Sequence, residues 1–231
     1  HRDLHSFPTR RSSDLGKTAV MSSLCCETDF VSKSDDFIAA SEALAKILFD
    51  STADQTTESI LQATLNGRKF SDILTEVVSK TGEKIEVGDL AKLTVTTGTI
   101  GTYTHFNNKI GAMVQIETSS DDVAKAVESV AVDIAMHVTA INPAGVDKDG
   151  IDPKVIENER TIAAEQVKDK PANIIGKIVD GKLAKFFKDN CLVEQPFVKD
   201  DTVTVNQALS AVAKKAGGTA KVKKFIRFQI G

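Results

Sequence analysis

The sequence has no tryptophan and a single tyrosine, and its three cysteines include an adjacent pair, Cys25 and Cys26. Such a set supplies neither a paired disulfide framework nor the ligand spacing of a zinc site, and it suits a reducing cytosol. Charge of neither sign dominates. Twenty-nine Lys and Arg against 32 Asp and Glu leave a formal net charge of -3, so the basic excess behind non-specific nucleic-acid binding is missing and any basic patch must be local. With 14 Gly and 5 Pro, the chain is too poor in both for a collagen-like or low-complexity segment. No apolar run approaches the roughly 20 residues needed to cross a bilayer. No phosphate-cradling glycine loop and no His-x-x-x-His pair occurs either, so neither a catalytic residue, a metal site nor a cofactor is expected. What is present is an ordinary globular composition, 41% hydrophobic and 26% charged over 231 residues, enough for one large or two small domains with their own cores.

The opening HRDLHSFPTRRSSDL shows no sustained helix or strand period and reads as a foreign, adapter-like leader over residues 1–15. A mitochondrial transit peptide would share its arginines and serines but avoid Asp3 and Asp14, which favours a bacterial cytoplasm over an organelle matrix. Extended chemistry follows in AVMSSLCCE, then a polar turn, then a helix opened by Ser34 with Asp35 and Asp36 at its positive end. Phe37, Ala40, Leu44, Ile47 and Leu48 form its buried stripe. After a Thr-rich, poorly patterned stretch, Phe70, Ile73, Leu74, Val77 and Val78 mark a second helix ended near Gly82. Val87, Leu93 and Val95 then return to strand spacing, and residues 16–97 read as one small α+β unit.

A hairpin is expected from TIGTYTHF and KIGAMVQIE, with Ile100, Thr102, Thr104 and Phe106 on one face of its first strand and Asn107 and Asn108 in a tight primed turn. Ile110, Ala112, Val114 and Ile116 share a face of the partner strand. Ser120 with Asp121 and Asp122 opens a helix carrying Val123, Val127, Val130, Ile134 and Val138, which Asn142 and Pro143 stop. Asp152 before Pro153 starts another helix. Lys170 and Pro171 separate it from one bearing Ile174, Ile178, Leu183 and Phe187, so residues 153–189 read as a projecting antiparallel helical hairpin. Gly176 and Gly181 each cost the second helix about 1 kcal/mol against alanine, which packing must offset unless the helix breaks there. Thr204 and Gln207 form a capping box for a last helix that ends at Gly217 and Gly218, and KFIRFQIG closes the chain as a strand joining the hairpin sheet. The fold class is therefore α+β: two small antiparallel-sheet subdomains with packed helices, 16–97 and 98–152 with 190–231, plus the 153–189 hairpin.

Chemistry concentrates in CETDFVSKSDDF. In that turn sit Thr28, Asp29, Phe30 and Val31, an acid beside a large aromatic. Composition favours Phe30 folding inward with Thr28 or Asp29 as a cap; the alternative has Phe30 pointing out as the kind of rigid aromatic anchor that dominates interface energy. His137, in the last turn of its helix, reads as a partly charged structural imidazole at the negative dipole end. Cys25 and Cys26 read as half-buried strand thiols, and Lys221, Lys223, Lys224 and Arg227, interleaved with Phe225 and Phe228, as a solvated strand face.

Glu27-Thr28-Asp29-Phe30-Val31 with Phe37 downstream resembles the signature of the elongation factor Ts family. TYTHFNNKIGAMV, AMHVTAINP, KIVDGKLAKFF, CLVEQPFV and KFIRFQIG follow in the family's order, over Gly16 to Gly231. Cys25 stands where the family usually has Asn and Ser32 where it often has Ala. The resemblance implies a non-enzymatic guanine nucleotide exchange factor that binds elongation factor Tu and promotes GDP release by disturbing its magnesium and phosphate site during translation elongation. It implies partner contacts at Thr28, Asp29, Phe30, Val31, Gly82, His105 and Val198, self-association through the 153–189 coiled-coil hairpin in some members, and no nucleic-acid or membrane partner. It also implies that the leader stands where the family has a small N-terminal helical module, and hence weaker exchange than a longer relative. Two readings from other classes compete. A thiol-dependent enzyme on Cys25 or Cys26 predicts loss of activity on alkylation, which an exchange factor tolerates, and a nucleic-acid module on the C-terminal lysines predicts affinity falling steeply with salt.

Overall fold

A computed structural model describes residues 4–6, 9–11, 16–51 and 56–230. The rest of the leader and residues 52–55 of the Thr-rich stretch lie outside the described residues. The fold is α+β, with helices packed on small antiparallel sheets. In the first sheet, β1 (Leu4–Ser6) and β2 (Thr9–Arg11) pair with β3 (Thr18–Cys26) in one register, Leu4 opposite Cys26 and Arg11 opposite Ala19. The leader's lack of strand period is therefore no guide to its backbone: the free edge of a strand takes up amide and carbonyl groups whatever the side-chain pattern. The other edge of β3 carries β6 (Glu86–Thr94), which is reached through the helical layer.

That layer begins with one turn of helix, α1 (Asp29–Ser32), followed by α2 (Asp35–Asp50), whose N-cap Ser34 accepts from the Phe37 amide as expected. Phe37, Leu44 and Leu48 of α2 are fully buried against Val20 and Leu24 of β3. Lys92 of β6 closes the far end of α2 by donating to the Phe49 and Ser51 carbonyls at 2.5 and 2.7 Å, a cation at the negative end of the helix dipole. The described part of the Thr-rich stretch, from Thr56 on, proves patterned. Thr56 caps α3 (Thr57–Gln62), and β4 (Thr64–Leu65) and β5 (Arg68–Lys69) flank Asn66 and Gly67 at φ 53 and 80, an Asn-Gly primed turn. Next, α4 (Phe70–Thr81) seals the cluster with Phe70, Leu74 and Val77 and ends at Gly82 in the left-handed region, φ 70.

The second sheet is β7 (Gly98–Thr104), β8 (Ile110–Thr118) and, on the far side of β8, β11 (Ala220–Gln229). Alternation suggested one buried face; both are buried. Ala112, Val114 and Ile116 face the helices, while Ile100 and Met113 face the first sheet, joining Ala19, Met21, Leu93 and Ile230 in a cluster shared by the two sheets. The helix expected from Ser120 to Asn142 is two, α5 (Asp121–Ala126) and α6 (Glu128–Ile141), broken at Val127, whose side chain is nonetheless fully buried. Asn142 caps α6 in the left-handed conformation, φ 54. The basic cluster is absorbed into β11: a bulge lies between Val222 and Lys224, Lys223 pairs with Glu117 at 3.8 Å, and Arg227 reaches the Thr139 carbonyl of α6.

Helices α7 (Pro153–Glu165) and α8 (Ala172–Asn190) pack on each other as an antiparallel pair, Ile162 and Gln166 facing Phe186 and Lys182, with their own small core of Ala163, Val167, Val179 and Leu183. α8 runs unbroken through Gly176 and Gly181, neither of which has a neighbour where a side chain would be. Unexpected from the sequence is the ribbon of β9 (Pro196–Phe197) and β10 (Asp200–Thr204), which leads into α9 (Val205–Lys215) and its Thr204–Gln207 capping box.

Helix and sheet approach most tightly at Gly101 in β7, where a Cβ would stand well inside contact distance of the backbone oxygen of Ala131 in α6. Neither backbone can yield without parting the sheet from its helix. Gly101→Ala is expected to destabilise the protein by about 3 kcal/mol, seen as a lower urea midpoint with an unchanged slope.

Candidate functional site

The strand-to-helix turn after β3 is built by local rules. Once the β3–β6 ladder stops at Cys25 opposite Glu86, the next residues need other partners for their amides. Thr28 is the N-cap of α1: its hydroxyl accepts from the Val31 amide at 3.4 Å, and its carbonyl accepts from the Ser32 amide at 3.2 Å and the Cys26 thiol at 3.4 Å. Ser34 bridges α1 to α2, its amide and hydroxyl both donating to the Val31 carbonyl at 3.0 and 2.8 Å. Val31 is buried in the same cluster as Phe37 and Leu24. With Val31 inward, the turn geometry sends its neighbours out, and Phe30 is 90% exposed with Asp29 exposed beside it. Of the two arrangements open to this turn, the outward ring is the one adopted, and the cap role falls to Thr28.

The second pin is Glu83, which the sequence alone did not single out. Its carboxylate accepts from the amides of Glu27 and Thr28, both at 3.0 Å, and from the Thr28 hydroxyl at 2.5 Å. Gly82, whose left-handed backbone ends α4, turns the chain so that Glu83 reaches this loop; no neighbour would obstruct a side chain at Gly82, so its requirement is conformational. The structure thus brings Thr28, Asp29, Phe30, Val31 and Gly82 into one locality. The signal for Glu83 was faint: an acid directly after a helix-ending glycine.

His105 and Val198 lie on other elements. The β7–β8 connection closes with the Asn108 amide donating to the His105 carbonyl at 2.8 Å, and Asn108 alone has a left-handed φ, 53. The tight Asn107–Asn108 primed turn is therefore replaced by a longer loop, a turn followed by a left-handed residue. This shift takes Phe106 off the strand face and onto the apex, 88% exposed, its ring 4.3 Å from that of His105. His105 is half-buried, with Nδ1 3.4 Å from the Tyr103 hydroxyl.

Val198, 46% exposed, follows β9, and its amide donates to Nδ1 of His137 at 3.2 Å. Since Nδ1 must accept there, the proton sits on Nε2 and is donated to Oε1 of Gln195 at 2.9 Å. Gln195 in turn donates to the Asp189 carbonyl at the end of α8 at 2.7 Å. His137 is thus a fully buried, neutral bridge from α6 to α8 and to the β9–β10 ribbon, instead of a partly charged imidazole at a helix end, and burial lowers its pKa below the ordinary 6.5.

Two of the three thiols are equally quiet. Burial, with the Glu83 charge second, pushes Cys26 up to about 11, and burial pushes Cys191 up to about 11 as well, so both are protonated at neutral pH and poor nucleophiles. Among the described residues, no group of three or more His, Cys, Asp and Glu is placed to hold a metal ion, and no helix is long and apolar enough to cross a membrane.

Comparison with known proteins places this geometry in context. The family model described as "Elongation factor TS" matches residues 27–231. The chain is 36% identical over 218 residues to Elongation factor Ts of a Nitratiruptor species, covering 93% of this chain and 71% of that protein. It is 36% identical over 224 residues to Elongation factor Ts of Alkalilimnicola ehrlichii, covering 96% and 71%. Against Elongation factor Ts of Clostridium botulinum (strain Eklund 17B / Type B) the figures are 35% over 221 residues, 95% and 72%.

The His137 network sets a pH dependence. With its native pKa lowered, the folded state binds fewer protons than the unfolded chain below about pH 6.5, so the contribution of His137 is whole above that value and falls as the pH drops through it, levelling off once the native imidazole protonates. A His137→Asn variant is expected to be less stable at neutral pH and to lose less melting temperature than the parent between about pH 7.5 and about pH 5.5, measured by thermal unfolding at both values.

Proposed function

Because this chain belongs to the elongation factor Ts family and so to the machinery of translation elongation, we propose that it is a guanine nucleotide exchange factor whose working part is the Thr28–Val31 turn. The observation that carries the reading is Phe30, 90% exposed on a turn held from beneath by a buried valine. An exposed ring on a fixed support loses little conformational freedom when a partner's pocket covers it, which is what makes an aromatic side chain an interface anchor.

In this reading the partner is elongation factor Tu with bound GDP. Phe30 wedges between helices of its GTPase domain while Asp29 contacts the same region, displacing the elements that hold the magnesium ion. Magnesium tolerates little departure from octahedral coordination, so a small shift of its ligands loosens the diphosphate. No bond is made or broken. The effect is a coupling free energy, and it is reciprocal: a factor that weakens GDP is itself weakened equally by GDP, so it binds the nucleotide-free GTPase most tightly. Gly82 supports the turn, and His105, with Phe106 beside it, and Val198 supply further contacts to the partner. Self-association through α7 and α8 belongs to the same reading, supported by Val155, Ile162 and Ile174, which stay 43%, 42% and 37% exposed.

Phe30→Ala tests the central point. Burying a phenylalanine ring contributes about 1.5 to 3 kcal/mol, so its loss is expected to cut the acceleration of GDP release from elongation factor Tu roughly 10- to 100-fold. Stability should change by no more than about 0.5 kcal/mol, since the ring packs on little of its own chain. Fluorescent-GDP displacement gives the first quantity and urea unfolding the second; undiminished release would refute the assignment. Equal affinity of the parent protein for nucleotide-free and GDP-loaded elongation factor Tu, measured by calorimetry, would refute the coupling.

A further inference from the structure

Phe30 acts as a wedge only if something resists when it is pushed. α1 is four residues long, far below the length at which a helix holds itself in water. Behind it the β3–β6 ladder has already ended at Cys25, so the amides of Glu27 and Thr28 have no sheet partner on that side. Val31 anchors the far side of the turn. On the near side, the two residues that join strand to helix are held by Glu83 through three hydrogen bonds to Glu27 and Thr28, with the Cys26 thiol adding one to the Thr28 carbonyl.

Glu83 is itself held from behind. It follows the left-handed Gly82 that ends α4, and its own amide donates to the Thr81 hydroxyl at 3.3 Å. α4 is seated in the core by Phe70, Leu74 and Val77 and tied to the first turn of α2 by Lys80, 2.8 Å from Asp36. A push on Phe30 therefore runs through Thr28 into the carboxylate, and from there into a core-packed helix.

We propose that Glu83 is the positioning residue of the exchange turn: its carboxylate locks Glu27 and Thr28 before the partner arrives and so sets the direction in which Phe30 enters. This rests on the exchange reading given above. The chemistry accounts for the choice of side chain. Both carboxylate oxygens are used, one taking two amides and the other a hydroxyl, and a carboxylate accepting backbone amides makes the stronger, charge-assisted kind of bond. Glutamine keeps this pattern, its oxygen accepting the two amides and its amino group donating to the Thr28 hydroxyl, whereas aspartate is one methylene too short and alanine has no acceptor.

The test is a double-mutant cycle between Glu83 and Phe30 on the full 231-residue chain, read as GDP release from GDP-loaded elongation factor Tu over a range of factor concentrations. Glu83→Ala and Glu83→Asp are each expected to raise the half-saturating concentration about tenfold and to speed hydrogen exchange of the Thr28 amide, while Glu83→Gln, which keeps the bonds without their charge, falls between the parent and Glu83→Ala in both. A variant that had only lost part of its folded population would raise the half-saturating concentration by the inverse of its folded fraction and keep the plateau. Concentrations are therefore counted as folded protein from urea unfolding of each variant, and a tenfold shift that vanishes on that scale would overturn the proposal. In the Phe30→Ala background, Glu83→Ala should cost clearly less than in the parent, because most of the carboxylate's effect passes through the ring and only the Asp29 side of the turn is left for it to position. Additive losses, a Glu83→Gln as impaired as Glu83→Ala, or a Glu83→Ala with the parent's release curve would overturn the proposal. If Glu83→Ala fails to fold, Glu83→Asp and Glu83→Gln carry the same comparison. A parent protein that releases no GDP would instead overturn the exchange reading, a result distinct from an active parent with an additive cycle.

Discussion

A four-residue helix cannot hold its own shape, and Phe30 sits exposed on one. Phe30 takes its direction from the way that turn is tied to its surroundings. Val31 draws one side into the core beneath α2, Thr28 caps the amides of the first turn, and Glu83 reaches across from the end of α4 to tie down the approach. An apolar ring left in water gains nothing for the isolated chain, so the stabilisation of this turn comes from the groups behind the ring and not from the ring itself.

Those supports depend on the core in turn. α2 and α4 close one face of the first sheet around Phe37, Leu44 and Phe70, while the opposite face, through Ala19 and Met21, meets Ile100 and Met113 of the second sheet. β3 is therefore buried from both sides, and the loop that leaves its end starts from a fixed point. The second sheet is fixed to its helices in a similar way at Gly101, where the absence of a side chain lets α6 approach the strand backbone directly. The His137–Gln195 pair holds the other end of α6 to the ribbon that carries Val198. Interior hydrogen bonds of this kind specify one arrangement where apolar contacts alone would allow several.

Much of this was legible in the sequence because it is governed by neighbours along the chain. Ser34, Ser120, Asp152 and Thr204 cap the helices they precede, Gly82 and Asn142 end theirs in the left-handed conformation, and the final strand alternates as a strand must. The TDFV turn stood out as an acid beside an aromatic. Several features were hidden for physical reasons. Strand alternation reports one buried face and cannot show that the opposite face meets a second sheet, as it does at Ile100 and Met113. The edge pairing of β1 and β2 is a ladder of backbone groups, which the order of side chains along the leader does not announce. His137 was read from its place on a helix, whereas its protonation is set by Gln195 and by the Val198 amide, 58 and 61 residues away. Asn66-Gly67 was available as a hairpin signal and lay unread between two strands of only two residues each.

The amino-acid order by itself determined where helices start and stop, which faces are apolar, and that Asp29 and Phe30 lie side by side where a strand gives way to a helix. These follow from bond geometry and from hydrogen bonds spanning a few residues. Whether that ring faces the core or the solvent was decided only by the tertiary structure. Inward and outward turns satisfy the same local rules, and the choice between them belongs to Val31 and Glu83, whose partners are brought close by the packing of α2 and α4 and not by the chain itself.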